Sequence, residues 1–173
     1  MRFAARTVLL LLILAAPSAA QPRTAFYLVE GAMQIPSGRN VGATVSLVKR
    51  VVDPGRGVIE ESVLNLRGGA AGQEFVTILK PEGNKVTISC SNCEMDGRGE
   101  LTGEPWEWTT VRFTAKVPGG TTVEGEDHFS ATGMTAEKRM LDASGKLTVT
   151  IHESGVKIQE STYLALHDRL IGK

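Results

Sequence analysis

Cysteine and aromatic side chains are scarce in this chain: two Cys, two Trp, two Tyr and five Phe in 173 residues. Two cysteines make at most one disulfide. With no second Cys pair and no close His pair, they do not complete the four ligands of a structural zinc site. Excess charge of either sign is missing too, with 19 Lys and Arg against 19 Asp and Glu. The basic residues stand singly among acids, the pattern of a solvated surface, which argues against a phosphate-tracking face for nucleic acid. No apolar run reaches the roughly twenty residues that a membrane-spanning helix needs. No Gly-x-Ser-x-Gly elbow, phosphate-binding loop or metalloprotease helix occurs.

What is present begins with an export-like frame. Arg2 and Arg6 lead into the apolar run Thr7–Ala16 (TVLLLLILAA), Pro17 breaks it, and Ser18-Ala19-Ala20 offers small residues to a signal peptidase. The expectation is a signal peptide at residues 1–20, a single domain at residues 21–173, and a secreted or periplasmic location. Without the first twenty residues the chain carries 17 basic and 19 acidic residues, a net charge of −2. A domain of this size buries roughly 70% of its unfolded surface without metals or multiple disulfides.

The dominant period beyond Gln21 is two. Val86, Ile88 and Cys90 alternate with Lys85, Thr87 and Ser89. Val111, Phe113, Ala115 and Val117 alternate with Thr110, Arg112, Thr114 and Lys116, and Leu147, Val149 and Ile151 with Lys146, Thr148, Thr150 and His152. Such runs are strands with one face on a core. Turn residues separate them at short intervals: Asp53-Pro54-Gly55-Arg56-Gly57, Pro81-Glu82-Gly83-Asn84, Pro118-Gly119-Gly120 and Asp142-Ala143-Ser144-Gly145. Strands joined this closely are antiparallel, because a parallel crossover needs a dozen residues or more. The sequence thus predicts an all-β meander of about nine or ten strands that closes into a barrel, with a β-sandwich as the alternative. No helix is expected, although Leu164–Lys173 fits either an extension of the last strand or one helical turn.

In length, leader and strand rhythm the chain from Thr24 to Tyr163 resembles the lipocalin-like, or calycin, group of small-ligand barrels. That resemblance implies an interior ligand site. The group's Gly-x-Trp opening is absent from Thr24–Gln34 (TAFYLVEGAMQ), and Trp106 and Trp108 stand in mid-chain.

Cys90-Ser91-Asn92-Cys93 is read as a structural disulfide across a turn. An exchange centre would sit at a helix N-terminus, whereas Glu94-Met95-Asp96-Gly97 reads as an acidic loop. Trp106 and Trp108, two apart, share one face if they lie on a strand; they then serve either as core or as a ligand wall. His128, His152 and His167 read as solvated. Glu126 and His128 share a face and could pair, while Asp127 points the other way.

The first reading is therefore an exported, non-catalytic barrel that binds a small apolar ligand, with Trp106, Trp108, Phe113 and Phe129 as wall residues and no metal or cofactor. The alternatives are an envelope protein-interaction or structural module with a filled barrel, and an isomerase-type enzyme using Glu126 and His128. Export predicts Gln21 as the mature N-terminus. Intact-mass measurement on protein from its native host checks it, and a mass that retains residues 1–20 after export overturns it.

Overall fold

A computed structural model describes residues 21–68, 71–104 and 106–171, so the signal-peptide reading of residues 1–20 lies outside the described residues. Ten strands follow in chain order. They are β1 (Arg23–Gln34), β2 (Asn40–Asp53), β3 (Val58–Arg67), β4 (Glu74–Glu82), β5 (Lys85–Cys90), β6 (Asp96–Thr102), β7 (Thr110–Lys116), β8 (Thr122–Phe129), β9 (Gly133–Leu141) and β10 (Leu147–Ile158). One helix, α1 (Glu160–Ile171), ends the chain. Each strand pairs antiparallel with the next, and β1 also pairs with β10. The sheet is a closed barrel, which decides against the sandwich.

Turn chemistry sets the register between neighbours. Glu82 pairs with Lys85 across the two-residue turn Gly83-Asn84, and Gly83 has φ 65°. That conformation belongs to a hairpin turn whose first central residue is Gly, because its twist matches the flanking strands. In the β2–β3 connection the Asp53 carboxylate accepts the Arg56 amide N–H at 3.0 Å, which fixes the bend that Pro54 and Gly55 begin.

The alternation sorts side chains into two apolar sets. Inside the barrel lie Tyr27, Val29, Val48, Val52, Ile59, Leu79, Val86, Ile88, Leu101, Val111, Phe129 and Met134, all buried. On the outer face of β1, β2 and β3, Phe26, Leu47 and Leu64 are buried by the helix, through Tyr163. The rings of Phe26 and Tyr163 lie 4.8 Å apart, and His167 stacks on Tyr163 at 5.6 Å.

The expectation of no helix is thus corrected: α1 has twelve residues. Tyr163, Leu166 and His167 recur at helical spacing and form the face turned to the barrel, while Leu164 and Leu170 are exposed. Tertiary packing supplies most of the stability of so short a helix. Because Tyr163 is the one fully buried side chain of that face, Tyr163→Ala is expected to cost about 3 kcal/mol. Urea unfolding measures it, and a loss within experimental error would show that the helix is not held this way.

Candidate functional site in the barrel interior

The inward faces carry a charged layer set among apolar neighbours. Arg50 lies between Val48 and Val52 on β2, Glu61 between Ile59 and Val63 on β3, Asp127 before Phe129 on β8, Lys138 after Ala136 on β9, and Glu153 after Ile151 on β10. Registered pairing brings them together. Arg50 faces Glu61 across β2 and β3, and Asp127 faces Ala136, one inward position from Lys138. The Arg50 and Glu61 side chains form an ion pair. A second guanidinium nitrogen of Arg50 donates to the Trp108 carbonyl at 3.3 Å, and the guanidinium carbon sits 3.8 Å above the Phe129 ring. Lys138 Nζ donates to Glu153 Oε2 at 2.5 Å. Ser46 Oγ donates to Asn65 Oδ1 at 2.9 Å.

Asp127 is the exception to this pairing. Its residue surface is 8% exposed, and its Oδ1 accepts no hydrogen bond. The Lys138 ammonium lies 3.9 Å from that oxygen, beyond hydrogen-bond distance. Burial raises its carboxyl from the ordinary 3.8 to about 6; Lys138 pulls it back down, while Glu61 and Glu153 push it further up. Lys138 itself is held protonated: Asp127 and Glu153 raise its pKa against the desolvation that would lower it.

Two voids border this layer. One of about 220 Å³ is walled by Val63, Leu79, Ile88, Val111, Phe113 and Val123, with Glu61, Asp127 and Lys138 at its polar side. Its lining reaches Met95, in the disulfide loop. A smaller one of about 40 Å³ lies among Val29, Val48, Phe129 and Met134, against the same charges and Glu153. Glycine makes room for one wall: a Cβ at Gly125 would meet Phe113 Cζ at 2.5 Å, so the ring packs directly against that residue.

The four expected wall residues divide between different places. Phe113 lines the larger void and Phe129 the smaller. Trp106 and Trp108 line a separate recess of about 360 Å³ with Pro81, Gly83, Asn84, Leu101 and Gly103, at the other end of the barrel from the disulfide. They do pack together, edge to face at 4.6 Å. The premise that they share one face of a strand is corrected, because both lie in the β6–β7 connection with positive φ, 62° for Trp106 and 28° for Trp108. A turn closed by the Glu107 and Trp108 amide N–H groups on the Glu104 carbonyl replaces the extended backbone that the two-residue period assumed.

Cys90, the last residue of β5, and Cys93, in the β5–β6 connection, stand at disulfide-bonding distance, with sulfurs 1.99 Å apart. Asn92 fastens this loop to β4, accepting from the Val76 amide and donating to the Glu74 carbonyl. The Glu126–His128 pair does not form. Both face outward, but Glu126 takes the Arg112 guanidinium and His128 Nδ1 bonds the Thr110 hydroxyl at 3.0 Å. Among the described residues no group of three His, Cys, Asp or Glu side chains is placed to hold a metal ion, and no helix is long and apolar enough to cross a membrane.

No protein-family model matches the chain, and no curated protein matches it in sequence. Among solved structures it is similar to a protein of unknown function from the DUF3598 family, from Nostoc punctiforme PCC 73102, at a TM-score of 0.56 and 8% identity. That likeness covers 77% of this chain and 46% of the other, so this chain spans less than half of its neighbour's length. It is also similar to the ywiB protein from Bacillus subtilis, at a TM-score of 0.40 and 9% identity over 81% and 95% of the two chains. At 8% identity the first likeness shows a shared fold alone.

The Asp127 environment has a measurable consequence. A carboxyl whose folded pKa exceeds its unfolded value binds a proton more tightly in the folded protein, so its ionisation destabilises the fold as pH rises from about 4 through about 6. Asp127→Asn mimics the protonated group. Relative to wild type, its unfolding free energy is therefore expected to gain on the order of 2 kcal/mol between about pH 4 and pH 7. Denaturant unfolding of both proteins across that range checks it, and parallel curves would refute it.

Proposed function

We propose that this chain is an exported, non-catalytic, lipocalin-like barrel that holds one small, largely apolar ligand. The observation that supports it is the half-open hollow of about 220 Å³ in the closed barrel, lined by aliphatic side chains and the Phe113 ring with Glu61, Asp127 and Lys138 at its polar side. Ligand sites in proteins are concave and mostly apolar, with a few polar groups that orient the occupant. An apolar cavity of ~150 Å³ takes up benzene, whereas drug-sized ligands occupy roughly 300–1,000 Å³. The occupant is accordingly no larger than one ring with a short chain. Phe113 and Phe129 serve as interior walls. Trp106 and Trp108 stopper the end opposite the disulfide, and entry is from the side of Met95 and Val123.

The leader at residues 1–20 and the Cys90–Cys93 pair support export to an oxidising compartment, secreted or periplasmic. An envelope partner that reads the outer face is the competing role, and an occupied cavity distinguishes the two. Native mass spectrometry of the purified protein, followed by solvent extraction, is expected to release a small bound molecule. Val63→Phe, which places a ring in the void, is expected to abolish that occupancy while changing stability by about 1 kcal/mol, since the added volume enters existing space. Wild-type protein that is empty, and indifferent to small apolar compounds in thermal shift, would overturn the reading.

A further inference from the structure

The polar side of the larger void is unbalanced. Across the charged layer, three carboxylates (Glu61, Asp127 and Glu153) face two cations, Arg50 and Lys138. Neither cation donates a hydrogen bond to Asp127, although Lys138 remains in ionic contact with it. Arg50 is held by Glu61, the Trp108 carbonyl and the Phe129 ring. Lys138 donates to Glu153 and leaves Asp127 Oδ1 at 3.9 Å. With every group ionised, the interior carries one negative charge in excess, and of the two carboxylates that line both voids, Glu61 and Asp127, Asp127 is the one without a hydrogen-bond donor.

Four kinds of occupant can be compared beside the Asp127 carboxylate. A water molecule donates one hydrogen bond but matches none of the apolar wall. An anionic ligand adds to the excess charge. A neutral alcohol donates but brings no compensating charge. An ammonium group on a short apolar body donates to the void-lining Asp127 carboxylate, neutralises the layer and sets its hydrocarbon against Val63, Leu79, Val111 and Phe113. A charge-assisted hydrogen bond is roughly twice as strong as a neutral one, and more so where water is excluded.

We propose that the barrel selects a small apolar amine, bound as its ammonium ion to Asp127. This inference rests on the ligand-binding reading above and names the ligand class. An alkyl ammonium keeps its proton until about pH 10, so over the neutral range the titrating partner is Asp127. Glu61, Glu153, Lys138 and Arg50 are the other charged groups facing it. Binding is therefore strongest above about pH 6 and is lost as Asp127 protonates below it.

Three probes of matched size test this: phenethylamine, phenethyl alcohol and hydrocinnamate, titrated into the unmodified protein by calorimetry and thermal shift. The amine is expected to raise the melting temperature with concentration, and to bind at least about tenfold more tightly than the alcohol. Hydrocinnamate is expected not to bind. Asp127→Asn should remove the amine's advantage and leave the alcohol's affinity within a few-fold. Lowering the pH from about 7 to about 5 should weaken the amine by up to about tenfold in wild type, an arm that does not depend on any variant folding. Equal binding of amine and alcohol, a pH-independent amine affinity, or an extracted natural ligand without an amine would overturn the amine inference while the ligand-binding reading stands. Failure of all three probes together with an empty barrel in native mass spectrometry would overturn both.

Discussion

The hydrogen-bonded seam between β1 and β10, nine residue pairs from Phe26 with Ile158 to Gln34 with Thr150, turns a ten-stranded meander into a barrel. It removes the two edges that an open sheet would offer to other chains. It also fixes the volume to be filled. An eight-stranded barrel has an interior that side chains just fill, and diameter grows with strand number. This chain has nine aromatic rings in all, and Phe26 and Tyr163 are used on the outside beneath the helix. The long stems of Arg50 and Lys138 reach across the remaining space, burying methylenes while their heads find carboxylates. Closure of the sheet, scarcity of rings and a charged interior are thus one chain of consequences.

A charged layer in a barrel is stable only when its members are matched. Removing ions from water costs several kcal/mol each, and their mutual attraction offsets this where geometry and hydrogen bonding are complete. Arg50 with Glu61, and Lys138 with Glu153, meet that condition. Asp127 does not, and its raised pKa is the thermodynamic expression of the shortfall. A buried carboxylate oxygen without a hydrogen-bond donor, beside a void that apolar residues line, is a low-stability feature of the fold.

The strands were legible in the sequence because alternation survives in Lys85–Cys90, Thr110–Lys116 and Leu147–Ile151, where one face is uniformly apolar. The charged layer left a readable trace that alternation arguments tend to overlook. Asp127 shares its parity with Val123 and Phe129, and Lys138 with Met134, Ala136 and Met140. Glu153 likewise shares parity with Val149 and Ile151. A lone charge on an apolar parity is the signature of an inward polar group. Which of these charges meet depends on register across strands far apart in sequence, and periodicity within one strand does not encode that. The expectation that charge faces water failed on these positions. Helix α1 was obscured for a different reason: Tyr163, Leu166 and His167 make a weak stripe whose partner surface, Phe26, Leu47 and Leu64, exists only once the barrel has closed. The tryptophan pair misled because period two holds only while the backbone is extended, and here it is not.

That departure from extended backbone ties the two ends of the barrel together. Non-glycine residues at positive φ are uncommon and cost of order 1–3 kcal/mol, so they persist where surrounding contacts over-determine them. Trp108 is held by burial, by the Trp106 ring and by the guanidinium of Arg50 on its carbonyl. The same guanidinium pairs with Glu61, which lines the larger void. One residue therefore ties the Trp106–Trp108 turn at one end to the charge layer beside the void. The packed indoles border a recess at that end, while the void beside the charged layer is bounded toward the other end by Met95 and Val123, next to the disulfide loop. The asymmetry between a strained, aromatic end and a loop-bounded one follows from where two tryptophans and two cysteines fall in a chain that has no others to place.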